Sequence, residues 1–132
     1  MFNENQPIPN VGDIVWTKFP TNNGSLPKAR PALVVRSSPS RRTLQVAYGT
    51  SKGLCNLHRR EFAITKNSSG FQQTGLSYST KFDMGRLVDL PFTNEWFAVA
   101  QDRNGPKNTP VLGILPASSY KEMFLAFMAS PK

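Results

Sequence analysis

Short runs of alternating apolar and polar residues, separated by turn residues, constrain the fold of this chain most strongly. In TLQVAYG (43–49), Leu44, Val46 and Tyr48 would lie on one side of a strand and the intervening residues on the other. This period of two is typical of a β-strand whose two faces differ. Other strand-like runs occur at 12–19, 61–65, 81–90 (one or two strands, interrupted at Gly85), 95–100 and 111–115, and the run at 32–37 is apolar throughout, which is typical of a central strand. We therefore predict a mainly β protein, with residues 1–132 forming a single domain.

The two ends of the chain have different patterns. Residues 1–10 are polar and carry two prolines, so we expect them to lie loosely on the surface. The C-terminal segment changes to a helical period, with Ser119 and Glu122 at the spacing of a capping box and Pro131 after the end. Its apolar stripe predicts an amphipathic helix packed across the sheet; the stripe consists of Tyr120, Met123, Phe124, Phe127 and Met128. Short strands followed by one helix favour a small, strongly bent β-barrel or a sandwich.

The charge of the chain is uneven. The whole sequence has a net charge of +8, and the span 28–86 holds eleven basic residues but only two acids, Glu61 and Asp83. A concentrated basic surface favours a polyanionic partner, because contacts to phosphates release counterions. This composition does not distinguish RNA from DNA, or either from an acidic protein.

Several chemistries are disfavoured by the residues that the chain lacks. A single cysteine, Cys55, and a single histidine, His58, do not provide zinc ligands at the usual spacing, and a disulfide within the chain is excluded. The sequence has no phosphate-binding glycine loop and no serine-hydrolase elbow. We therefore expect no metal and no cofactor. Without a long apolar run or a signal-peptide pattern, we expect a cytoplasmic protein that does not enter a membrane.

Hydroxyl and guanidinium groups near the predicted strand ends suit a phosphodiester substrate. In RNA cleavage without metal, the ribose 2′-hydroxyl attacks its own phosphate, and a fixed guanidinium can stabilise the charge on the phosphoryl oxygens with two donors. Such a reaction requires no nucleophile from the protein. The candidate residues are Arg30, Thr50, Ser51, Lys52, Arg59, Thr80, Lys81 and Arg86.

Three segments together resemble the PemK/MazF family of toxin endoribonucleases. They are GDIVWTKFPTNNG, the KARPALVV that follows, and VAYGTSK with FAIT beyond it. The likeness is clear from Gly12 to about Thr65, and GLSYSTKFDMGRLVDLP continues it as a divergent branch. The resemblance implies a small SH3-like β-barrel of the CcdB/MazF type with a C-terminal helix. It also implies a cytoplasmic homodimer that cleaves single-stranded RNA without metal and is neutralised by a cognate antitoxin.

The resemblance also implies site residues. The family's R-P arginine corresponds to Arg30 and the threonine that closes its third strand to Thr50, and both would be catalytic. Pro31 restricts Arg30 to an extended backbone at the strand end. The expected substrate-binding residues are Lys28, Ser51, Lys52, Arg59, Thr80, Lys81 and Arg86.

The sequence departs from the family pattern at its carboxylates. The first loop, NNGSLPKARP, has no acid, and GLSYSTKF offers Thr80 and Lys81 where some members have an aspartate; Asp83 follows a few residues later. Three alternatives therefore stay open: an inactive relative that binds nucleic acid or an antitoxin, a gyrase poison of the CcdB kind, and an SH3-type interaction domain. The ending FMASPK lacks the Trp-Gly-Ile of the gyrase poison, and the basic excess disfavours the interaction domain.

Overall fold

The computed structural model describes residues 1–19, 28–102 and 105–129, and for residues 101, 102, 105 and 106 it describes the backbone alone. The strands are β1 (Asp13–Lys18), β2 (Ala29–Ser38), β3 (Thr43–Thr50), β4 (Glu61–Ile64), β5 (Thr80–Pro91), β6 (Gln101–Asp102), β7 (Gly105–Pro106) and β8 (Val111–Ile114). The helices are α1 (Phe71–Thr74), a 3-10 turn (Ala117–Ser119) and α2 (Tyr120–Met128).

The described part of the chain forms one main sheet with strand order β4-β5-β3-β2-β1-β8, in which every neighbouring pair is antiparallel. The sheet curls into a half-barrel, and β6 and β7 make a separate two-stranded hairpin. The prediction of a mainly β fold with a C-terminal helix is confirmed. Among the described residues, no helix has the length and apolar character that crossing a membrane would require.

Both faces of the sheet are covered, because neighbouring strand residues point to opposite sides. Ile14 and Val15 are both fully buried but belong to different apolar clusters. One cluster includes Leu33, Phe82, α1 and the inner side of α2, and we call this side of the sheet the helix face. The other includes Val46, Phe92 and Phe97 with the N-terminal Phe2, and we call this side the N-terminal face.

The N-terminal segment packs against the protein, so the expectation that residues 1–10 lie loosely is wrong. Phe2 is 5% exposed, and its ring centroid lies 5.0 Å from that of Phe92. The amide of Phe2 donates to the side chain of Asn94 at 3.0 Å, and the Asn94 amide group donates back to the Phe2 carbonyl at 2.9 Å. The polar composition of this segment did not indicate that Phe2 would anchor it through ring packing and hydrogen bonds to Asn94.

Arg42 holds the same segment from the turn between β2 and β3. Its guanidinium donates to the backbone carbonyls of Glu4 and Gln6 at 2.6 Å each and lies 5.8 Å from the ring centroid of Phe92. Arg42 also has a positive φ of 52°, a left-handed conformation that a β-strand does not use. The sequence analysis did not assign it to the substrate-binding set, and the structure gives it an internal partner.

Some elements differ from the sequence prediction. The segment 81–90, where the sequence predicts one or two strands interrupted at Gly85, lies in one strand whose pairing is irregular near Gly85. The segment 95–100 is not a strand: it forms a turn followed by one isolated antiparallel bridge, between Phe97 and Thr17 of β1, with backbone hydrogen bonds on either side of it. Most of the long loop before β2, residues 20–27, lies outside the described residues, as does Pro131.

The C-terminal helix forms as predicted but presents its apolar stripe differently. Ala126 is buried and Met123 is half-buried against the helix face, so the inward side of α2 is narrow. Most of the predicted stripe is exposed: Tyr120 (52%), Phe124 (57%), Phe127 (42%) and Met128 (64%). The capping box does not form, since among the described residues no backbone N–H of the first turn of α2 donates to the Ser119 side chain.

Candidate functional site

The candidate site lies on the N-terminal face, where four strands place polar side chains in adjacent rows. Tyr48 on β3 pairs with Asp83 on β5, and Asp83 pairs in turn with Glu61 on β4. One row further along, Thr50 pairs with Lys81. Directly paired residues in antiparallel strands project to the same side, so these residues share one face.

Arg30 joins this face from β2. Its neighbour Ala32, two residues further along the strand, pairs with Tyr48, so Arg30 lies on the same side, level with Thr50. The guanidinium carbon of Arg30 lies 5.8 Å from the centroid of the Tyr48 ring. The structure therefore brings Arg30, Thr50 and Tyr48 to one corner of the sheet.

A bulge in β5 adds a second arginine to this corner. Ala47 pairs with Leu87, whereas the next residue, Tyr48, pairs with Asp83, so residues 84–86 have no partner on β3. Bulges of this kind re-aim side chains, and here Arg86 places its guanidinium carbon 4.0 Å from the Tyr48 ring centroid. Tyr48 thus contacts two guanidiniums at cation–π distance, and the edge of its ring packs with Phe19 at 5.0 Å.

A mostly buried ion pair lies beside Tyr48. The ammonium of Lys81 contacts both carboxylate oxygens of Glu61, at 3.0 and 3.1 Å, and the two side chains are 12% and 7% exposed. Oε1 of Glu61 also accepts the backbone N–H of His58 at 3.1 Å. Lys81, which the sequence analysis placed in the substrate-binding set, therefore has a carboxylate partner inside the protein.

Asp83 and His58 form the neighbouring pair. Nε2 of His58 lies 3.2 Å from Oδ2 of Asp83 and 3.6 Å from Oε2 of Glu61. Oδ1 of Asp83 accepts the backbone N–H of Gly85 at 2.9 Å, within the bulge. Asp83 is 18% exposed and His58 is 55% exposed, so the pair is accessible from solvent on the histidine side.

The hydrogen bonds of His58 identify which nitrogen carries the proton. Nδ1 accepts a hydrogen bond from the backbone N–H of Arg60 at 3.2 Å. The neutral ring therefore carries its proton on Nε2, and this N–H donates a hydrogen bond to Asp83. His58, Glu61 and Asp83 offer ligand atoms within 4.8 Å of one another. They nevertheless fit a divalent cation poorly, because Nε2 is protonated and the Lys81 ammonium already occupies both Glu61 oxygens.

A cleft of about 380 Å³ opens on the helix-face side of the same strand ends. Arg30, Thr50, Ser51 and Thr80 from the predicted set line this cleft, together with Trp16, Pro31 and Tyr78. The Thr80 hydroxyl donates to the carbonyl of Tyr78 at 2.9 Å, and Oγ1 of Thr50 accepts the backbone N–H of Lys52 at 3.2 Å. A side chain at Gly49 would collide with the carbonyl of Pro31, so this position must be glycine to keep β2 and β3 close.

The remaining predicted residues surround the corner. Lys28, Lys52, Arg59 and Arg86 are exposed. The loop that carries Lys52 and Arg59 folds over Lys81, since a Cβ on Gly53 would lie 3.2 Å from the Lys81 ammonium. Lys28, Lys52 and Arg86 are therefore more accessible to solvent than Lys81, whose side chain is 12% exposed.

Sequence reasoning missed Tyr48, Glu61 and the pairing of His58 with Asp83. A signal was present: Glu61 and Asp83 are the two acids among eleven basic residues in the span 28–86. Isolated acids in such a span indicate internal ion pairs, but their convergence depends on the pairing of β4 with β5.

Comparison with known proteins adds no relative from which function could be transferred. The sequence matches no protein-family model and no curated protein. Functional inference therefore depends on the motif resemblance and on the geometry of this corner.

Proposed function

We propose that the protein is a metal-independent endoribonuclease of the PemK/MazF type, acting on single-stranded RNA. The observation that carries this proposal is the corner where Arg30 and Arg86 lie against Tyr48, beside Thr50 and the Asp83–His58 pair. Two guanidiniums suit a phosphate, and an aromatic ring at their centre suits a nucleotide base or ribose.

The reaction uses the substrate's own nucleophile. The 2′-hydroxyl oxygen forms a bond to phosphorus while the bond from phosphorus to the 5′-oxygen breaks, which leaves a 2′,3′-cyclic phosphate and a 5′-hydroxyl. Arg30 stabilises the charge on the phosphoryl oxygens, and the Thr50 hydroxyl orients the phosphate. One proton leaves the 2′-hydroxyl and one is added to the departing 5′-oxygen.

Asp83 supplies the carboxylate that the motif comparison did not find. Asp83 pairs with Tyr48, and Tyr48 contacts Arg30. Oδ2 of Asp83 accepts a hydrogen bond from the Nε2–H of His58. In this proposal Asp83 receives the 2′-hydroxyl proton, the Arg30 guanidinium hydrogen-bonds the leaving 5′-oxygen while keeping its own protons, and water supplies the proton that this oxygen takes up. Lys28, Lys52 and Arg86 bind the flanking phosphates.

The proposal includes a homodimer in which α2 packs against its copy. Five large apolar side chains on this nine-residue helix are 42 to 64% exposed: Tyr120, Phe124, Leu125, Phe127 and Met128. An apolar groove of about 440 Å³ runs beside α2 and is bordered by Val11, Val35, Met84 and Leu115. Monomeric proteins rarely expose so large an apolar surface.

A second copy fits this surface by charge. The chain carries +8 overall, whereas α2 carries one lysine and one glutamate and is neutral. Like-charged copies can therefore approach at α2 without the repulsion that the rest of the surface imposes. A two-fold contact of α2 with itself is the simplest closed arrangement. The cytoplasmic setting and the acidic antitoxin that would cover the basic face are part of the same proposal.

One observation favours a second candidate, an inactive relative that binds RNA or an antitoxin without cleaving. Glu61, Asp83 and Lys81 all have partners within the protein. To accept a proton from the substrate, one of these side chains would first have to give up a partner. The same basic face would bind RNA in either case. The two candidates differ only in whether cleavage occurs.

Cleavage of a long mixed-sequence RNA in excess EDTA tests the proposal. We expect discrete fragments with 2′,3′-cyclic phosphate ends from the wild type, and a rate at least 100-fold lower from Arg30→Ala, since the loss of a charge-stabilising donor costs about 10²–10³ in rate. Lys66→Ala is the charge-matched control, because Lys66 is exposed and lies in the turn after β4. Equal rates for Arg30→Ala and wild type would remove Arg30 from the mechanism. RNA binding without cleavage by any of the three proteins would favour the inactive relative.

A further inference from the structure

A second polar cleft lies at the opposite end of the sheet from Arg30. It has a volume of about 450 Å³ and is formed by the end of β2, the start of β3 and the end of β5. The polar residues that line it are Arg36, Ser38, Arg41, Thr43, Gln45 and Asp89. Neither the proposed reaction nor the packing of the core uses these side chains.

The cleft is on a different face from the Arg30 corner. Arg36 pairs with Gln45, and Gln45 pairs with Asp89, so the three side chains share one side of the sheet. Gln45 lies between Leu44 and Val46, which belong to the N-terminal face, so its side chain points to the helix face. Gln45 and Tyr48 are three positions apart on β3, which corresponds to a distance of about 10 Å along the strand. A ligand in this cleft would not share the contacts of the Arg30 corner.

The two guanidiniums of the cleft are unengaged within the described residues. Arg36 and Arg41 are exposed there, and neither guanidinium forms a hydrogen bond or an ion pair with another described residue. The adjacent Arg42 is a contrast, because its guanidinium is held by two carbonyls at 2.6 Å. Asp89 lines the same cleft without an ion pair to either arginine.

We propose that this cleft binds a nucleotide through its phosphate and its hydrogen-bond donors. Arg36 and Arg41 would bind the phosphate oxygens, with the hydroxyls of Ser38 and Thr43 as further donors. Asp89 and the Gln45 carbonyl oxygen would accept hydrogen bonds from base amino groups or ribose hydroxyls. A purely acidic peptide fits less well, because Asp89 would repel it. The volume lies in the range of small-molecule sites, about 300–1,000 Å³.

The nucleotide has two sources with the same chemistry, a free mononucleotide and the 5′-phosphorylated end of an RNA. This inference goes beyond the proposed ribonuclease activity and does not depend on it, since the two sites lie at opposite ends of β2 and β3 and share no lining residue. Loss of one function by mutation therefore leaves the other measurable.

Binding to the full-length protein tests the inference at low salt. The probes are guanosine and adenosine 5′-monophosphates, inorganic phosphate, and a 2′-O-methyl tetranucleotide with and without a 5′-phosphate, which cannot be cleaved. Amide chemical shifts locate each probe, and calorimetry measures its affinity. We expect at least one nucleotide probe to shift amides in 36–45 and near residue 89, and to bind at least tenfold more tightly than inorganic phosphate.

Variants of the cleft complete the test. Arg36→Ala and Arg41→Ala should each weaken nucleotide binding about tenfold or more, and Asp89→Asn should weaken nucleotide binding while inorganic phosphate binds at least as tightly as to the wild type. Lys66→Ala should change nothing. If a mononucleotide binds more tightly than the 5′-phosphorylated tetranucleotide, the natural ligand is a free nucleotide. If the 5′-phosphorylated tetranucleotide binds more tightly, the natural ligand is the end of an RNA. Equal affinity for inorganic phosphate, affinity unchanged in all three cleft variants, or amide shifts confined to the Arg30 corner would overturn the inference.

Discussion

Glu61 and Lys81 lie at the candidate site, but they form an ion pair with each other that stabilises the fold. Their ion pair is mostly buried and is made through both carboxylate oxygens, next to a second carboxylate at Asp83. Two carboxylates at this distance repel each other, and the Lys81 ammonium together with the His58 N–H offsets that repulsion. The pair thereby holds β4 against β5 and keeps Asp83 in place behind Tyr48.

We expect Glu61→Gln to lower the free energy of unfolding by about 3 kcal/mol, because it leaves the Lys81 ammonium buried without a carboxylate. Urea denaturation of the wild type and the variant measures the change. The double variant Glu61→Gln with Lys81→Met removes the unpaired charge and should recover most of the loss. A single variant as stable as wild type would show that the ion pair contributes nothing to stability.

Asp13 at the start of β1 shows burial acting on a carboxyl outside the site. Burial raises the pKa of Asp13, and the backbone N–H of Asn10, which donates to it at 2.8 Å, opposes this effect. A raised pKa in the folded state means that the stability contributed by protonated Asp13 is lost as pH rises through that pKa.

Among the elements, the N-terminal segment and α2 depart most from their sequence patterns. The segment looks like a polar tail, but Phe2 and Pro9 are buried, and Arg42 reaches it across the turn between β2 and β3. It therefore works as a cover for the N-terminal face. Without this cover, the cluster around Phe92 and Phe97 would be open to water.

Arg42→Ala should release the N-terminal segment, because it removes two charge-assisted hydrogen bonds and the contact with the Phe92 ring, at a cost of roughly 2–3 kcal/mol. Hydrogen exchange of the amides in residues 2–8 measures the release and should become at least tenfold faster. The adjacent Arg41→Ala is a matched control, since Arg41 makes no hydrogen bond to another described residue. Equal exchange in Arg42→Ala and Arg41→Ala would contradict this function of Arg42.

At the scale of the whole molecule, charge and apolar surface are segregated. Several basic residues of the span 28–86 lie around the Arg30 corner, two more line the cleft at the other end of the sheet, and the exposed apolar side chains concentrate on α2. This division suits a protein with one surface for a polyanion and another for a copy of itself. The proposed dimer would cover α2 and leave the basic corner accessible.

We expect the wild type to have twice the 14.7 kDa chain mass in sedimentation experiments, and Phe124→Glu with Leu125→Glu to sediment as a monomer. Two carboxylates placed in the apolar contact would have to be desolvated there, which disfavours association. Leu57→Glu is the control, since Leu57 is 45% exposed and belongs neither to α2 nor to the groove beside it. A wild type that is monomeric at all concentrations, or a dimeric double variant, would exclude α2 as the dimer contact.

Much of the fold was predictable because its signals are local. The alternation in TLQVAYG corresponds to β3, and the run after Pro31 to the buried part of β2. For 95–100 the same reasoning was wrong, since an alternating pattern does not ensure extended pairing: this segment meets β1 at a single bridge. Of the predicted site, Arg30, Thr50, Ser51 and Thr80 do line one cleft, whereas Lys81 is held by Glu61.

The sequence by itself determined where the strands and the C-terminal helix form, because a period of two or of 3.6 residues is written in neighbouring positions. Only the tertiary structure decided that Asp83 pairs with Tyr48, that Arg86 turns back over the same ring, and that α2 exposes its apolar stripe. The first two depend on the three-residue bulge in β5, and the third depends on how much of the sheet surface is left for a helix to cover. All three therefore involve residues far apart in the chain. The physical reason is that pairing register and the covering of a face are set by the free energy of the whole assembly, which local periodicity does not contain.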